Sequence, residues 1–171
     1  VDHHIPNPEV PSALKQAREL AERLDADLAL ATDPDADRLG CVARRSGPAG
    51  VQWLPMNGNQ IGAVLCAFVL EELQRQGRLR KDGLVVKTAV TTGLIDRIAD
   101  HFGVGRVSEL LVGFKYIGCV IRYLDDPDRF LFGLEESHGY LSRPYTRDKD
   151  GANAALLLAE AAARAKEEGT D

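Results

Sequence analysis

Asp33, Asp35 and Asp37 stand at every second position directly after the apolar run Leu28 to Ala31, and Arg38 closes the group. Carboxylates so spaced can converge on one ion, because alternate side chains of an extended loop point the same way. Their hard oxygens suit Mg²⁺, which commonly bridges carboxylates to a phosphate. Arg38 adds a planar donor fork matched to a phosphoryl oxygen, so the local chemistry is that of a divalent cation beside a phosphate. A solvated acidic turn draws on the same residue types. Regular spacing and the terminal arginine set this stretch apart from one. The run also opens like a calcium-binding EF-hand loop, but the sixth and twelfth positions, which should be Gly and Glu, hold Arg38 and Arg44.

Three further segments set polar groups next to glycine. In Lys87-Thr88-Ala89-Val90-Thr91-Thr92-Gly93 a lysine and hydroxyls precede a helix start, where free N–H groups and the positive dipole end favour an anion. Thr92 could equally cap that helix. Gly113-Phe114-Lys115-Tyr116-Ile117-Gly118 opens another helix; Lys115 there could neutralise a phosphate, pass on a proton, or stay solvated beside two core aromatics. The densest segment is Phe132 to Tyr140, where Glu135, Glu136, Ser137 and His138 follow a buried strand between glycines. Carboxylate and hydroxyl side chains bind vicinal hydroxyls, which suits a neutral polyhydroxyl ligand such as a sugar, while His138 could pack under the loop.

The elements that must hold these groups alternate along the chain. A helical pattern with Leu14, Ala17, Leu20, Ala21 and Leu24 follows Pro11-Ser12, with Ser12 as its cap. Leu28 to Ala31 is a buried strand. Leu39 to Arg44 and Val51 to Leu54 bracket the turn Ser46 to Gly50 as a hairpin. Helices are predicted at Ile61–Leu73, ended by Gly77, and at Leu94–His101, Lys115–Leu124 and Gly151–Lys166. Strands are predicted at Leu84–Val90, Val107–Leu111 and Phe130–Gly133. Strands alternating with helices of this length imply an α/β layer with a largely parallel sheet, whose ligands gather at the carboxyl ends of strands.

At 171 residues and 44% apolar content the chain can bury one substantial core, or one domain and part of a second. A formal charge of −5 without a basic cluster argues against nucleic acid or an anionic membrane as the main partner. No apolar run approaches the roughly 20 residues of a membrane helix, and Val1-Asp2-His3-His4 is no signal peptide, so a cytoplasmic enzyme is the expected class. Cys41, Cys66 and Cys119 lack metal-ligand spacing and are expected to be free thiols of a reducing compartment. The only methionine is Met56, and His3 to Pro11 is a proline-rich extended piece without periodicity, which together suggest an excised segment or a processed chain.

In order, Pro6-Asn7-Pro8-Glu9, Asp33 to Arg38, Gly58-Asn59-Gln60, Lys87-Thr88, Thr91-Thr92-Gly93, Gly113-Phe114-Lys115, Gly133 to Ser137 and Arg147-Asp148-Lys149-Asp150-Gly151 resemble the α-D-phosphohexomutase superfamily of phosphoglucomutases and phosphomannomutases. Gly-Phe-Lys-Tyr-Ile-Gly paired with Glu-Glu-Ser-His-Gly-Tyr looks most like the bacterial phosphoglucomutase branch related to phosphopentomutases. The resemblance implies a three-layer α/β/α fold with a mixed, largely parallel sheet for residues 46–171, the family's third domain. Residues 1–45 would be the end of its second domain, carrying the metal loop. It implies that Asp33, Asp35 and Asp37 hold Mg²⁺ and that Arg38 lies against the phosphoserine of the intact enzyme. Lys87 and Lys115 would stand near the reacting phosphoryl, and Glu135 and Ser137 would contact ring hydroxyls. His138 would serve loop structure or substrate discrimination.

The implied reaction interconverts hexose 1-phosphate and hexose 6-phosphate through a sugar bisphosphate, with glucose 1-phosphate, glucose 6-phosphate and glucose 1,6-bisphosphate as ligands and mannose or pentose phosphates as alternatives. The serine loop Thr-Ala-Ser-His-Asn-Pro and the phosphate loop Arg-x-Ser-Gly-Thr-Glu-Pro do not occur here. The chain alone is therefore expected to be inactive, with the remaining domains of the same enzyme as its partners. Two other classes are a haloacid-dehalogenase-like phosphatase, with Asp33 as nucleophile and Asp35 as acid or base, and a non-catalytic metal or sugar-phosphate binding module.

Overall fold

The computed structural model describes residues 6–48 and 50–169, so residues 1–5 of the proline-rich opening and Ala49 of the hairpin turn lie outside the described residues. What is described of the opening is turned rather than extended. Asn7 Oδ1 accepts the Glu9 N–H and the Asn7 carbonyl accepts the Val10 N–H. Pro11–Leu14 then forms a 3₁₀ turn without a side-chain cap, so Ser12 does not cap as expected, and α1 runs Lys15–Arg23.

The chain continues as β1 (Leu28–Thr32), β2 (Leu39–Gly47), β3 (Gly50–Met56), α2 (Gly58–Arg75), β4 (Leu84–Thr88), α3 (Leu94–Phe102), β5 (Gly105–Leu110), α4 (Phe114–Tyr123), β6 (Phe130–Glu135), β7 (Gly139–Leu141) and α5 (Gly151–Glu167). Helix α2 starts earlier than periodicity alone predicts because Asn57 and Gln60 form a capping box, each side chain accepting the other's backbone N–H at 2.9 Å. Strand β7 has no counterpart in the sequence reading; three residues are too few for alternation to register.

Two sheets form. In the first, β1, β2 and β3 are antiparallel neighbours in that order, and β2 passes unbroken through residues 45 and 46, pairing Arg45 with Gln52 and Ser46 with Val51. The second has the order β5-β4-β6-β7, with β4 parallel to β5 and β6, and β7 antiparallel to β6. Helices α2, α3 and α5 bury Ile61, Leu65, Leu70, Ile95, Ala99 and Leu158 against one face, which meets Val85, Leu131, Phe132 and Leu134. Helix α4 covers the other face, packing Phe114, Ile117 and Ile121 on Val86 and Phe130. The result is three layers, α/β/α, around a mixed and mostly parallel sheet. Leu39 and Cys41 of β2 reach into the larger core, whereas Val42 turns to α1, so the small sheet is clamped between α1 and the main body.

One irregularity decides what β6 presents. Leu84 pairs with Phe130 but Val85 with Phe132, so Leu131 is an extra residue and both Leu131 and Phe132 face the larger core. Strand parity flips there. Gly133 then faces α4, where a Cβ would lie 2.9 Å from Ile117 Cγ2, and Glu135 emerges on the same side.

Burial separates the three thiols. Cys41 and Cys66 are fully buried and desolvation pushes both up to about 12, while Cys119 lies exposed on α4. With a thiol reagent at pH 8, Cys119 should react in the folded protein and all three cysteines only in denaturant. Labelling of Cys41 or Cys66 at the Cys119 rate in buffer would contradict this packing.

Candidate active site

The aspartates lie on the six-residue link between β1 and β2. Their convergence comes from a turn instead of extended alternation: the Asp33 carbonyl accepts the Ala36 N–H at 3.0 Å, and Ala36 takes the left-handed φ of 58°. Asp33 is the buried pivot. Its Oδ1 accepts the N–H groups of Asp37 and Arg38 at 3.1 Å each, and its Oδ2 accepts Arg38 Nε at 2.7 Å. Burial works to raise this carboxyl, but Arg38, through guanidinium and N–H, and Asp37 outweigh it and hold Asp33 below its ordinary value.

Asp37 is raised by burial, against the ammonium of Lys149, whose Nζ lies 2.7 Å from Asp37 Oδ2. The other oxygen, Asp37 Oδ1, is buried without a hydrogen-bond partner. Arg38 Nε stands 3.7 Å from it, too far for a hydrogen bond, and a buried carboxylate oxygen without one is costly and calls for a cation or a donor. Ligand atoms of Asp33, Asp35 and Asp37 come within 4.8 Å of one another, and Asp35 is exposed. Three hard oxygen donors, one of them orphaned, fit Mg²⁺.

Arg38 reaches back as well as inward. Besides Asp33, its Nη1 donates to Glu9 Oε1 at 2.9 Å and Asn7 Oδ1 at 3.4 Å, which explains why the Pro-Asn-Pro-Glu turn belongs to the site.

The second loop, between β6 and β7, carries Glu135 to His138. Glu135 is 3% exposed, its Oε1 accepts the Gly113 N–H at 2.7 Å, and burial raises its carboxyl against that N–H and Lys149. Ser137 is half-buried with a hydroxyl that has no partner among the described residues. His138 holds the loop, the first of the two roles expected of it. It is buried with φ 66°, and its Nδ1 donates to the Leu39 carbonyl at 2.8 Å while its own carbonyl accepts the Leu39 N–H at 3.1 Å. With Arg38 bridged to Gly139 and the Gly151 N–H on the Ala36 carbonyl, this second loop is sewn to the aspartate loop.

The two lysines singled out in the sequence sit in different settings. Lys87 is 4% exposed and turned into the fold, donating to the Thr91 carbonyl at 3.1 Å and pairing with Asp96 Oδ2 at 3.4 Å. Its charge holds the β4–α3 loop. Lys115 is exposed at the start of α4, 5.1 Å over the Tyr116 ring. Sequence reasoning gave Lys149 no role, yet its ammonium reaches Asp37 more closely than Arg38 does, at 2.7 Å against 3.7 Å. Burial works against its charge, but Asp37 and nearby acids hold the ammonium above the ordinary lysine value. Its available signal was its place in Arg147-Asp148-Lys149-Asp150-Gly151; Gly139 makes room for its stem, since a Cβ there would meet Lys149 Cδ at 2.5 Å.

The sequence profile described as phosphoglucomutase/phosphomannomutase, alpha/beta/alpha domain III, matches residues 57–170, and that of domain II matches residues 1–47. The chain belongs to this family. It is 42% identical over 163 residues to a phosphoglucomutase of Staphylococcus epidermidis, covering 95% of this chain and 28% of the relative. It therefore spans less than a third of that protein. A Thermus thermophilus structure assigned to the phosphomannomutases superposes with a TM-score of 0.70 at 28% identity, over 99% of this chain and 34% of the other. An Aspergillus fumigatus N-acetylphosphoglucosamine mutase solved with GlcNAc-6P and magnesium shares the fold at 16% identity, with a TM-score of 0.53 over 85% of this chain and 33% of its own. Membership of the phosphoglucomutase/phosphomannomutase family leaves the haloacid-dehalogenase-like reading without support.

Within this family member the fit between α2 and the second loop is tight. Gly58 opens α2 under that loop, where a Cβ would stand 1.9 Å from the Glu136 carbonyl oxygen, and the Gly58 carbonyl accepts the Tyr140 hydroxyl. Gly58→Ala should destabilise the protein by about 1–3 kcal/mol through this clash, whereas Gly47→Ala, with open space around it, should stay within about 0.5 kcal/mol. Urea denaturation of the two variants checks the contrast.

Proposed function

We propose that this chain supplies the cation loop and the sugar loop of a hexose-phosphate mutase, which transfers a phosphoryl group between C1 and C6 of a hexose through a sugar bisphosphate. The observation that carries it is the orphaned Asp37 Oδ1 among three converging carboxylates, on a loop hydrogen-bonded directly to the Glu135–His138 loop. Asp33, Asp35 and Asp37 hold Mg²⁺. When bound, the ion stabilises charge on the transferring phosphoryl.

The chain's own groups do the positioning. Arg38 fixes Asp33 through Nε and is itself held through Nη1 by Glu9 and Asn7, which leaves Nη2 for the phosphate carried by the enzyme. Glu135 spends one carboxylate oxygen on the Gly113 N–H, which orients the other toward vicinal ring hydroxyls, and the unpartnered Ser137 hydroxyl adds a second contact. Lys149, beside Asp37, brings a cation to the same side as Glu135, where its ammonium neutralises a phosphoryl. Lys115 at the start of α4 faces solvent and is placed to meet a phosphate entering from another domain. Lys87 and His138 act through the loops they hold. Because these groups only receive and orient, the phosphoryl carrier and a phosphate clamp come from the remaining domains of the same enzyme, with residues 1–45 closing its second domain and residues 46–171 forming the third.

The name of the Staphylococcus epidermidis relative supports glucose as the hexose, and the GlcNAc-6P and magnesium complex of the fungal neighbour supports a phosphosugar and Mg²⁺. Three unpaired cysteines support a reducing compartment, the cytoplasm. The complete protein that carries this chain should convert glucose 1-phosphate to glucose 6-phosphate with Mg²⁺. Asp35→Asn should lower turnover by about 100-fold or more, since even outer partners of a metal ligand are worth about 10–100-fold. Residues 1–171 by themselves should show no mutase activity. Wild-type turnover in the variant would remove the metal assignment, and turnover by the isolated chain would show that the phosphoryl carrier lies within it.

A further inference from the structure

Glu136 is not needed for the cation or for the ring contacts assigned above, yet it makes a concentrated set of hydrogen bonds. Its Oε2 lies 3.0 Å from Thr88 Oγ1 and 3.1 Å from Thr91 Oγ1, and the two hydroxyls are 2.8 Å apart. Both threonines are buried, at 0% and 3% exposure. A carboxylate only accepts, so each hydroxyl can donate its single proton to Oε2 and neither threonine is left as an unsatisfied buried donor. The contact joins two separate strand exits: Thr88 ends β4 and Thr91 lies in the turn after it, while Glu136 follows directly on β6.

Other bonds hold the β4 exit and the two ends of the loop that Glu136 belongs to, at Glu135 and at His138. Lys87 donates to the Thr91 carbonyl and Asn59 Oδ1 accepts the Thr92 N–H at 2.9 Å. On the opposite side, His138 ties the far end of the second loop to Leu39. Ser137 stands between those two attachments, with no side-chain partner of its own among the described residues. The Glu136 backbone is also pressed against α2, its carbonyl lying where a Gly58 Cβ would stand. Resting on the mutase reading above, we infer that Glu136 is a positioning residue: its clasp on Thr88 and Thr91 sets the direction of Glu135 and Ser137 and so the affinity for the sugar.

The test uses the complete protein that carries this chain. Glu136→Ala should raise KM for glucose 1-phosphate about tenfold with a smaller change in kcat, and should speed amide hydrogen exchange across 135–139 without altering it in α5. Glu136→Gln keeps an acceptor oxygen for the two hydroxyls and should stay within about threefold of wild type in KM. If Glu136→Ala does not fold, Thr91→Val removes one arm of the clasp at nearly constant volume and should move KM and exchange the same way. Unchanged KM in the folded variant, or a Gln variant as impaired as Ala, would overturn the inference, the latter because the charge itself would then be in use. A wild-type protein without mutase activity would instead fail the functional reading, and hydrogen exchange across 135–139 would still decide the clasp.

Discussion

The reciprocal pair of hydrogen bonds between Leu39 and His138 is the constraint on which the rest of this structure depends. Leu39 begins the strand that leaves the aspartate loop; His138 sits at the tip of the loop between β6 and β7. Leu39 lies in the first sheet and His138 in a loop of the second, so the pair joins the two sheets directly. A backbone hydrogen bond contributes about 1 kcal/mol net, and a buried imidazole N–H without an acceptor costs about 1–3 kcal/mol, so the pair resists being opened. It holds although His138 must take a left-handed backbone conformation, uncommon outside glycine. Gly151 extends the seam by donating to the Ala36 carbonyl, and there too only glycine fits, since a Cβ would stand 2.9 Å from that oxygen.

Joining the loops concentrates negative charge, and the fold answers with two cations of different kinds. Arg38 is hydrogen-bonded to the most buried aspartate and fixed at its other end by Glu9 and Asn7, so it acts as a static part of the scaffold. Lys149 is a point charge on a flexible stem, 18% exposed along its side chain, and stands between Asp37 and the Phe114 ring. Even so, one oxygen of Asp37 stays unsatisfied. Dense carboxylates, incomplete compensation and a nearby loop rich in groups able to bind hydroxyls match the cation and phosphorylated polyol proposed for the site. The same buried charges make the site expensive for the folded state, which is where a functional site is expected to depart from optimal packing.

Much of this was legible in the chain. Alternation of apolar runs with helical patterns locates both long helices, the β2–β3 hairpin and the buried strand before Glu135, because those signals are local and periodic. The spacing of Asp33, Asp35 and Asp37 points to converging carboxylates, and the structure brings them together through a turn at Ala36 instead of extended alternation. Lys87 shows the limit. It stands in a polar, glycine-ended segment and resembles a phosphate-binding lysine, but strand parity in β4 points it inward to Asp96. Lys149, in an equally polar stretch, is the one that reaches the aspartates.

By itself the sequence determined the chemical inventory and the element order, since both rest on residue type and on distances of a few positions along the chain. Only the tertiary structure decided which groups meet. The extra residue Leu131 in β6 reverses which face Glu135 leaves from, and that bulge exists only in the pairing with β4. His138 becomes a clamp through a contact 99 residues away, and Lys149 becomes part of the site because α5 begins against Ala36. Side-chain direction in a strand or loop is set by register and long-range hydrogen bonds, which local periodicity does not encode.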